Sequence, residues 1–377
     1  MRVWTLAMCL FPIIALSGGR SVAGEVRGAW VSAWNKGYLT REEADATIAA
    51  AKKAKLNTLF IQARKTADAY YDSKIEPRGS NLAADDYDPL AYVIEKAHAQ
   101  GIKVHAWINV CRVWRGRAMP DDPNHLVNKH PDWLNEDSAG SARATDGMFI
   151  DPAVPEARDY VVSVVKDIAE RYDVDGIHLD YIRYPGKDWG YSEIALQRYF
   201  KQMGQTKKPA GDNPMWSNWR RTQVTELLTQ IRKAVKDARP KARLTAATIT
   251  WKDCEQSFPA TCPYKLVYQD WRGWLADGLL DASVPMNYRC ESTPDGAAQF
   301  RAWLGGFKRW SSGKPTYVGI DIYHNSVDGI TTQIQAVRKS KMAGFVLFSL
   351  NDLPEREAIV AALAAQSPVK QARGGGR

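Results

Sequence analysis

The sequence has 377 residues, of which 45% are hydrophobic and 25% are charged, and its formal net charge is +9. This composition excludes an intrinsically disordered chain, and the length suits one large α/β barrel with insertions. The excess of positive charge favours an anionic polymer as partner, such as cell wall or acidic polysaccharide. We expect no nucleic acid partner, because the sequence has no nucleic-acid-binding signature and its Lys and Arg residues are spread along predicted helices.

The first 23 residues have the pattern of a secretory signal peptide. Arg2 supplies a positive start, residues 5–16 are mostly apolar, and Ser21-Val22-Ala23 forms a small-x-small cleavage site. This apolar stretch is too short to cross a bilayer as a helix, and no other segment of the sequence is long enough. We therefore expect a protein exported to the periplasm or the extracellular space, with no membrane span and with Gly24 as its first residue.

Beyond the predicted signal peptide the cysteines are Cys111, Cys254, Cys262 and Cys290. An even number of cysteines in an exported protein suggests disulfides. Cys254 and Cys262 are close in sequence, so we predict a disulfide between them first. A bond between Cys111 and Cys290 would follow, although other connectivities are possible. The tight spacing that zinc sites need is missing, so we expect no metal site.

From residue 27 onward, short apolar segments typical of buried parallel strands alternate with amphipathic segments typical of helices. The predicted strands cover residues 28–34, 58–64, 103–110, 176–182, 244–250, 282–288, 316–323 and 345–350. The clearest predicted helices cover residues 42–55, 89–100, 156–172, 224–238 and 330–341. This alternation predicts an α/β fold, a (β/α)8 TIM barrel, over residues 24–366.

An open doubly wound sheet is the alternative fold. It would need a glycine-rich turn after the first strand, and residues 30–34 contain no glycine. The tail, residues 367–377, is basic and glycine-rich, and we expect it to be disordered.

Polar and aromatic residues are concentrated at the ends of the predicted strands. In a barrel of this kind the chemistry lies where the strands end, and a purely structural barrel has no use for such residues there. Trp107 and Trp251 are candidate platforms for sugar rings, although a buried tryptophan more often only packs. We predict that these residues bind substrate: Gln62, Arg64, His105, Trp107, Asn109, His178, Arg183, Tyr184, Trp251, Asn287, Tyr288 and Asn351.

Residues 175–185 are the most informative segment of the chain. Alternation along the strand places His178 and Asp180 on the inner side of the barrel, with Asp180 at the end that meets substrate. A buried carboxylate is costly unless it is paired or functional. Asp180 is therefore the predicted catalytic residue, and a structural ion pair with Arg183 is the alternative. His178 either tunes Asp180 or fills a polar layer of the core.

Residues 175–185 also resemble the fourth strand of the glycosyl hydrolase-like 10 family, which consists of exported bacterial barrels. The resemblance extends to residues 27–30, 57–64, 69–77, 87–90, 97–98, 101–109, 130–133 and 151–152, and it covers the chain from about residue 25 to residue 353. The resemblance implies a TIM barrel and hydrolysis of glycans. Some members of the family are similar to enzymes that act on peptidoglycan glycan strands.

The sixth strand departs from the family pattern. The family has Pro-Gln before its tyrosine, whereas residues 285–288 read Pro-Met-Asn-Tyr. These residues resemble the sixth strand of family-18 chitinases. The fourth strand is also distantly similar to theirs, with Asp180 at the place of the Asp that orients a substrate N-acetyl group. The proton-donating glutamate of those enzymes would fall at Ile182, which cannot donate a proton, so their mechanism does not simply transfer.

Hydrolysis of a glycosidic bond normally needs two carboxyl groups. Asp180 is the first, and the candidates for the second are Asp321, Asp253, Glu255 and Asp352. We prefer Asp321 as the second catalytic residue, because many retaining barrels place a carboxylate at the end of strand seven. An Asp321 that only braces a loop or caps a helix is the alternative.

The predicted function is a glycoside hydrolase that cleaves an amino-sugar polymer such as peptidoglycan glycan strands. We expect a monomer that needs no cofactor and no metal. One alternative is a carbohydrate-binding barrel that has lost catalysis, which Ile182 keeps open. The other is a metal-dependent polysaccharide deacetylase with His105 and His178 as ligands, for which the sequence has no tight metal motif.

Overall fold

The computed structural model describes residues 24–82, 86–351 and 357–366. The predicted signal peptide, the predicted tail and Asp352 lie outside the described residues. Among the described helices, none is both long and apolar enough to span a membrane.

Within the described residues, eight parallel strands form one sheet that curves into a nearly closed barrel, with the order β8-β7-β6-β3-β2-β1-β10-β9. The two ends of this sheet meet at a parallel bridge between Ser283 and Thr316, whose hydroxyl oxygens are 3.2 Å apart. The predicted (β/α)8 barrel is confirmed. The strands are β1 (Val26–Val31), β2 (Thr58–Arg64), β3 (Lys103–Asn109), β4 (Arg112–Trp114), β5 (Met148–Phe149), β6 (Gly176–Asp180), β7 (Arg243–Thr248), β8 (Ala282–Pro285), β9 (Tyr317–Asp321) and β10 (Gly344–Phe348).

Helices connect the strands and cover the outside of the barrel. Several begin at a side-chain cap, which satisfies amides that have no partner inside the helix. Thr40, for example, accepts a hydrogen bond from the amide of Glu43. The helices are α1 (Arg41–Lys53), α2 (Pro89–Ala99), α3 (Leu126–Lys129), α4 (Pro155–Arg171), α5 (Glu193–Met203), α6 (Pro214–Ala238), α7 (Cys262–Lys265), α8 (Trp271–Ala276), α9 (Pro294–Trp310), α10 (Val327–Lys339) and α11 (Glu357–Ala365).

Helix α6 begins ten residues before the predicted start at residue 224. Asn213 caps it through the amide of Trp216, and Pro214 occupies its first position, where a missing amide hydrogen costs nothing. Its first turns bury Trp216 and Trp219, which stack on each other at 5.0 Å between ring centroids. The buried face of these turns is aromatic, so a search for aliphatic periodicity overlooks it.

A second, two-stranded antiparallel sheet of β4 and β5 was not predicted, because its strands are too short to show a periodicity. It continues directly from β3 over the carboxyl end of the barrel. The amide of Val110 donates to the carbonyl of Asp180 at 2.8 Å, and that of Cys111 donates to the carbonyl of Tyr181 at 3.2 Å. The residues just before β4 are therefore held beside the end of β6.

The barrel interior is packed with large apolar side chains. Trp30, Phe60 and Trp107 form one cluster inside the strands. The polar residue His178 lies among them, with its ring centroid 4.7 Å from that of Phe60. The larger core lies between the strands and the surrounding helices. The interior is therefore filled, and ligands can reach it only at the two ends.

Candidate active site

Asp180 is the last residue of β6, and it pairs in register with Asn109 at the end of β3. Its side chain is 7% exposed at the carboxyl end of the barrel. The following residue, Tyr181, has a φ of 52°, in the left-handed region that non-glycine residues seldom adopt. The Tyr181 amide donates a 2.7 Å hydrogen bond to Asp180 Oδ1. Backbone strain of this kind is common at functional sites, where the surrounding structure maintains it.

The environment of Asp180 disfavours its charged form. Burial raises the pKa of this carboxyl above its ordinary value. The Tyr181 amide, the Arg112 and Arg183 guanidinium groups and the Trp107 indole act in the opposite direction, but burial outweighs them. Asp180 is therefore a carboxyl that holds its proton more tightly than an exposed aspartate does.

The structural ion pair that was the alternative role for Asp180 is absent from the described residues. Arg183 lies near Asp180 but pairs with Asp146, with 3.3 Å between Nη2 and Oδ2. Asp146 belongs to the loop just before β5 and is 43% exposed. The charge of Arg183 is thus satisfied without Asp180.

Arginine and aromatic side chains form a continuous row beside Asp180. We call this row the arginine–aromatic ladder. The Arg112 guanidinium lies 5.6 Å from the ring centroid of Trp34 and 3.9 Å from that of Tyr181. The Arg183 guanidinium lies 4.6 Å from the Tyr181 ring and 5.0 Å from the Trp251 ring. The two arginines are buried, whereas the tryptophans at the ends of the ladder are 38% and 40% exposed. The ladder therefore runs beside Asp180 and ends in a partly exposed tryptophan on each side.

Two more cations surround the Trp34 end of the ladder. Lys65 Nζ lies 4.9 Å and the Arg115 guanidinium 5.3 Å from the centroid of the Trp34 ring. Lys65 is paired with Asp68 at 3.3 Å. Among the described residues Arg115 has no carboxylate within the 4.0 Å that defines an ion pair. This end of the ladder consequently carries uncompensated positive charge.

Asp321, the preferred second carboxylate, ends β9 and is 8% exposed. It accepts hydrogen bonds from the Tyr323 amide at 2.7 Å and from His324 Nδ1 at 2.5 Å. Asp180 and Asp321 both raise the pKa of Tyr288, in addition to the effect of burial. The Tyr288 phenol is thus within electrostatic reach of both carboxyl groups, which places all three at the same end of the barrel.

The other candidates for the second carboxylate are less well placed. Asp253 and Glu255 are exposed in the loop after β7. Asp352 lies outside the described residues.

Three residues that were predicted to bind substrate have structural partners at the mouth of the barrel. Arg64 is fully buried in an ion pair with Glu76, at 2.8 Å, and it also donates to the carbonyls of Asn109 and Val110. Gln62 accepts the Ala33 amide at 2.9 Å. Asn351 accepts the amide of Ser32 at 2.9 Å and donates to the carbonyls of Ser32 and Lys36 at 2.8 Å each.

Asn109, Tyr184 and Asn287 are fully buried and have structural partners as well. The side-chain amide of Asn109 donates to the Lys65 carbonyl at 2.7 Å, and the Tyr184 hydroxyl donates to Asp151 at 3.2 Å. The side-chain amide of Asn287 donates to the carbonyl of Phe300 at 3.1 Å. Residues of this kind shape the site from behind, which their position at strand ends alone does not reveal.

The two histidines of the barrel interior lie below the mouth. His178 accepts a hydrogen bond from the Trp30 indole at 3.0 Å and lies 3.0 Å from the Thr245 hydroxyl, and burial lowers its pKa far below the ordinary value. His178 therefore fills a polar core layer, one of its two predicted roles. Burial lowers the pKa of His105 to about 4, and this residue faces the amino ends of the strands.

The pair of histidines that a metal-dependent deacetylase would need is accordingly unsuited to that role. Both ring nitrogens of His178 face protein partners. Among the described residues, no group of three His, Cys, Asp or Glu side chains is placed to hold a metal ion.

The predicted disulfide between Cys254 and Cys262 is wrong for this structure, in which both thiols are free. The Cys254 sulfur lies against α9, where it accepts a 3.6 Å hydrogen bond from Arg309 Nη2, and a Cβ on Gly306 would lie 2.6 Å from it. Cys111 and Cys290, the remaining predicted pair, are also free. Cys111 is fully buried beside the end of β3. Closeness in sequence did not indicate the direction of the side chains.

Trp34, Arg112, Arg115 and Tyr181 contribute to the site but were not predicted. The two arginines and one tryptophan within residues 112–115 were the available signal. It could not be interpreted without the two-stranded sheet of β4 and β5, which brings Arg112 next to Tyr181, a residue 69 positions further along the chain.

Comparisons with known proteins identify relatives of this chain. Over 288 residues the chain is 28% identical to "Glycosyl hydrolase YngK" of Bacillus subtilis. These residues cover 70% of this chain and 54% of that protein. Over 254 residues it is 26% identical to "Glycosyl hydrolase DigH" of Escherichia coli K12, covering 62% of this chain and 54% of that protein. The chain thus spans about half the length of these curated relatives.

Solved structures share the barrel. The PgaB (BpsB) glycoside hydrolase domain from Bordetella bronchiseptica superposes with a TM-score of 0.70 at 13% identity, over 92% of this chain and 100% of that one. An α-L-fucosidase, isoenzyme 2 from Paenibacillus thiaminolyticus, superposes with a TM-score of 0.64 at 16% identity, over 90% of this chain and 49% of that one. The family model for glycosyl hydrolase-like 10 matches residues 25–337, which include β1 to β9 and the site around Asp180. The chain therefore belongs to the glycosyl hydrolase-like 10 family.

Proposed function

We propose that the protein hydrolyses O-glycosidic bonds in an amino-sugar polymer such as the glycan strands of peptidoglycan, with Asp180 and Asp321 as its catalytic carboxyl groups. The observation that carries the proposal is the state of Asp180. This carboxyl is buried at the end of β6, is free of an ion pair within the described residues, and has a raised pKa. Perturbed carboxyls in such positions are typical of catalytic acids.

The raised pKa suits Asp180 to the role of proton donor. Cleavage requires a proton on the glycosidic oxygen as the bond to the anomeric carbon breaks. Asp180 would donate that proton, and the Tyr181 amide, already bonded to Oδ1, would stabilise the carboxylate left behind. Asp321, which accepts two hydrogen bonds from its own loop, would stabilise the positive charge that develops on the sugar ring. Water would then supply the new oxygen of the anomeric carbon, and the proton that it releases would restore the protonated form of Asp180. Tyr288 lies within reach of both groups.

The exposed ends of the ladder support a polymer as substrate. Trp34 and Trp251 are partly exposed at the two ends of the ladder, where they would contact sugar rings of a chain that spans the site. The positive charge of Arg115 beside Trp34 favours sugars that carry carboxylates. Muramic acid, the amino sugar of peptidoglycan with a lactyl carboxylate, has this chemistry. We further propose that the protein acts as an exported monomer in the periplasm or outside the cell, where such a polymer is found.

Ile182 stands where the sequence resemblance to family-18 chitinases implies an acid glutamate, and it is buried and cannot donate a proton. This keeps a second candidate function, a carbohydrate-binding barrel without catalysis. Incubation of the protein with purified peptidoglycan glycan strands distinguishes the two functions. We expect new reducing ends to accumulate with time in proportion to enzyme concentration, and the Asp253→Asn variant to match the unmodified protein, because this exposed carboxylate lies outside the proposed machinery. Retention of the glycan on the protein with no new reducing ends would overturn the hydrolase proposal.

A further inference from the structure

A cavity of about 540 Å³ opens at the end of the barrel opposite Asp180, where the strands begin. We call it the floor cavity. Lys103 and His105 of β3, Arg243 of β7 and Tyr317 of β9 contribute to its lining. His105 lies four residues before Asn109, which pairs with Asp180 between β3 and β6. At the rise of a β-strand, the floor cavity lies about 13 Å from Asp180 along the strands. The two sites are therefore separate.

Glycine at position 176 lets the His105 ring pack at the floor of the barrel. His105, Gly176 and Arg243 occupy one row across three neighbouring strands. A Cβ on Gly176 would lie 2.6 Å from His105 Nδ1 and 2.7 Å from the carbonyl oxygen of Arg243, both closer than real contacts allow. Only glycine fits at the centre of this row, because the imidazole occupies the space that a side chain would need. Arg243 crosses the floor to donate a hydrogen bond to the Tyr317 hydroxyl.

His105 is a polar side chain without a polar partner in this part of the fold. It is 3% exposed, and its ring nitrogens form no hydrogen bond with any described residue. Its one ring contact is with Phe60, at 4.9 Å between centroids. Buried polar groups are nearly always hydrogen-bonded, because leaving one unsatisfied is unfavourable. The floor cavity is the space from which a ligand would reach this ring.

The charges of the lining indicate the sign of that ligand. Lys103, Lys241 and Arg243 have no carboxylate within ion-pair distance, 4.0 Å, among the described residues. The two carboxylates of the lining already have partners, one pairing with Arg239 at 2.7 Å and the other with His98 at 2.9 Å. The floor cavity therefore holds an excess of positive charge that nothing in the described chain neutralises.

We propose that the floor cavity binds a small oxyanion of the phosphate class, held by Lys103 and Arg243 and hydrogen-bonded by the ring N–H of His105. A guanidinium matches two oxygens of such an anion, and an ammonium supplies a flexible point charge. His105 lines the floor cavity together with Lys103 and Arg243, so an anion held by these two cations can reach the imidazole. This site makes no use of Asp180 or of the glycan, and it is independent of the proposed hydrolase function.

Titration calorimetry of the full chain with inorganic phosphate, at an ionic strength fixed with chloride, tests this site. We expect saturable binding of one phosphate per chain. Lys103→Ala, which removes an exposed side chain, should weaken binding at least about tenfold, and Arg243→Gln should do the same. Lys308→Ala removes an equally exposed lysine on α9, remote from the lining, and should bind as tightly as the unmodified protein.

A second measurement identifies the histidine. In nitrogen-detected NMR, phosphate should shift the ring resonances of His105 but not those of the exposed His324. The proposal is overturned if phosphate produces no saturable heat or if Lys103→Ala and Lys308→Ala bind it equally. It is also overturned if the His105 resonances stay unchanged at saturating phosphate. Because Lys103 is exposed, a loss of binding in its variant cannot be attributed to loss of the fold.

Discussion

Arg183 pairs with Asp146 and leaves Asp180 without an ion-pair partner among the described residues, even though the Arg183 guanidinium is close enough to lower the pKa of Asp180. The arrangement separates two properties that one ion pair would combine. The arginine is anchored through another carboxylate and through the Tyr181 and Trp251 rings. Asp180 keeps a raised pKa and remains available to substrate.

The first prediction concerns stability and pH. The pKa of Asp180 is higher in the folded protein than in the unfolded chain, so ionisation of Asp180 opposes folding. Ionisation of Asp180 lowers the free energy of unfolding by its full amount above the pKa that Asp180 has in the folded protein. This loss vanishes as pH falls below the ordinary aspartate pKa, near 3.9. We therefore expect Asp180→Asn to melt at a higher temperature than the unmodified protein at pH 7, and the difference to shrink toward pH 4. Thermal melting across this pH range measures it. A variant that melts lower at pH 7 would contradict the account.

The second prediction concerns the open ends of the ladder. Trp34→Ala and Trp251→Ala each remove one aromatic face but leave both carboxyl groups in place. An aromatic contact of this kind contributes about 0.5–1.5 kcal/mol, so KM should rise roughly two- to tenfold with little change in kcat. Steady-state kinetics on glycan strands separates the two parameters, and the Phe variants, which retain a flat ring, serve as controls. A fall in kcat with unchanged KM would show that the tryptophans act on the chemistry rather than on binding.

The third prediction concerns the brace behind the site. Arg64 and Glu76 are both fully buried, and the loss of one charge from such a pair commonly costs about 3–5 kcal/mol. Glu76→Gln should lower the free energy of unfolding by an amount in this range. Chemical denaturation measures it, with Glu95→Gln, in an exposed pair on α2, as the matched control. An equal effect of the two variants would exclude a bracing role for the Arg64–Glu76 pair.

The fourth prediction concerns the cysteines. With all four thiols free, alkylation without prior reduction should label Cys254, Cys262 and Cys290, which are partly exposed. Cys111 should be labelled only after unfolding, because it is fully buried and burial raises its pKa to about 12. Peptide mass spectrometry of protein from an oxidising compartment reads out all four positions. A peptide linked through Cys254 and Cys262 would restore the pairing that the sequence suggested.

The sequence was sufficient for the barrel and for the position of Asp180 at the end of β6, because both are local signals. Alternation within residues 176–180 gives the strand, and its one carboxylate lies where the strand ends. The roles of Arg64 and Asn351 were not predictable, because strand-end position is the same whether a side chain faces substrate or a neighbouring loop. Glu76 and Ser32, which bind these two residues, lie elsewhere in the chain, so the choice is made by tertiary packing. The ladder also depends on tertiary packing, because the unpredicted two-stranded sheet of β4 and β5 positions Arg112.

The turnover of Asp180→Asn on glycan strands, measured per folded molecule beside Asp321→Asn and Asp253→Asn, tests the central claim most directly. Loss of a general acid commonly lowers kcat by about 10²-fold or more, and we expect at least that for Asp180→Asn and a comparable loss for Asp321→Asn. Asp253→Asn should retain full activity, because its carboxylate is exposed outside the site. Asp180→Asn protein that is folded, binds glycan and cleaves it at the rate of the unmodified protein would contradict the account.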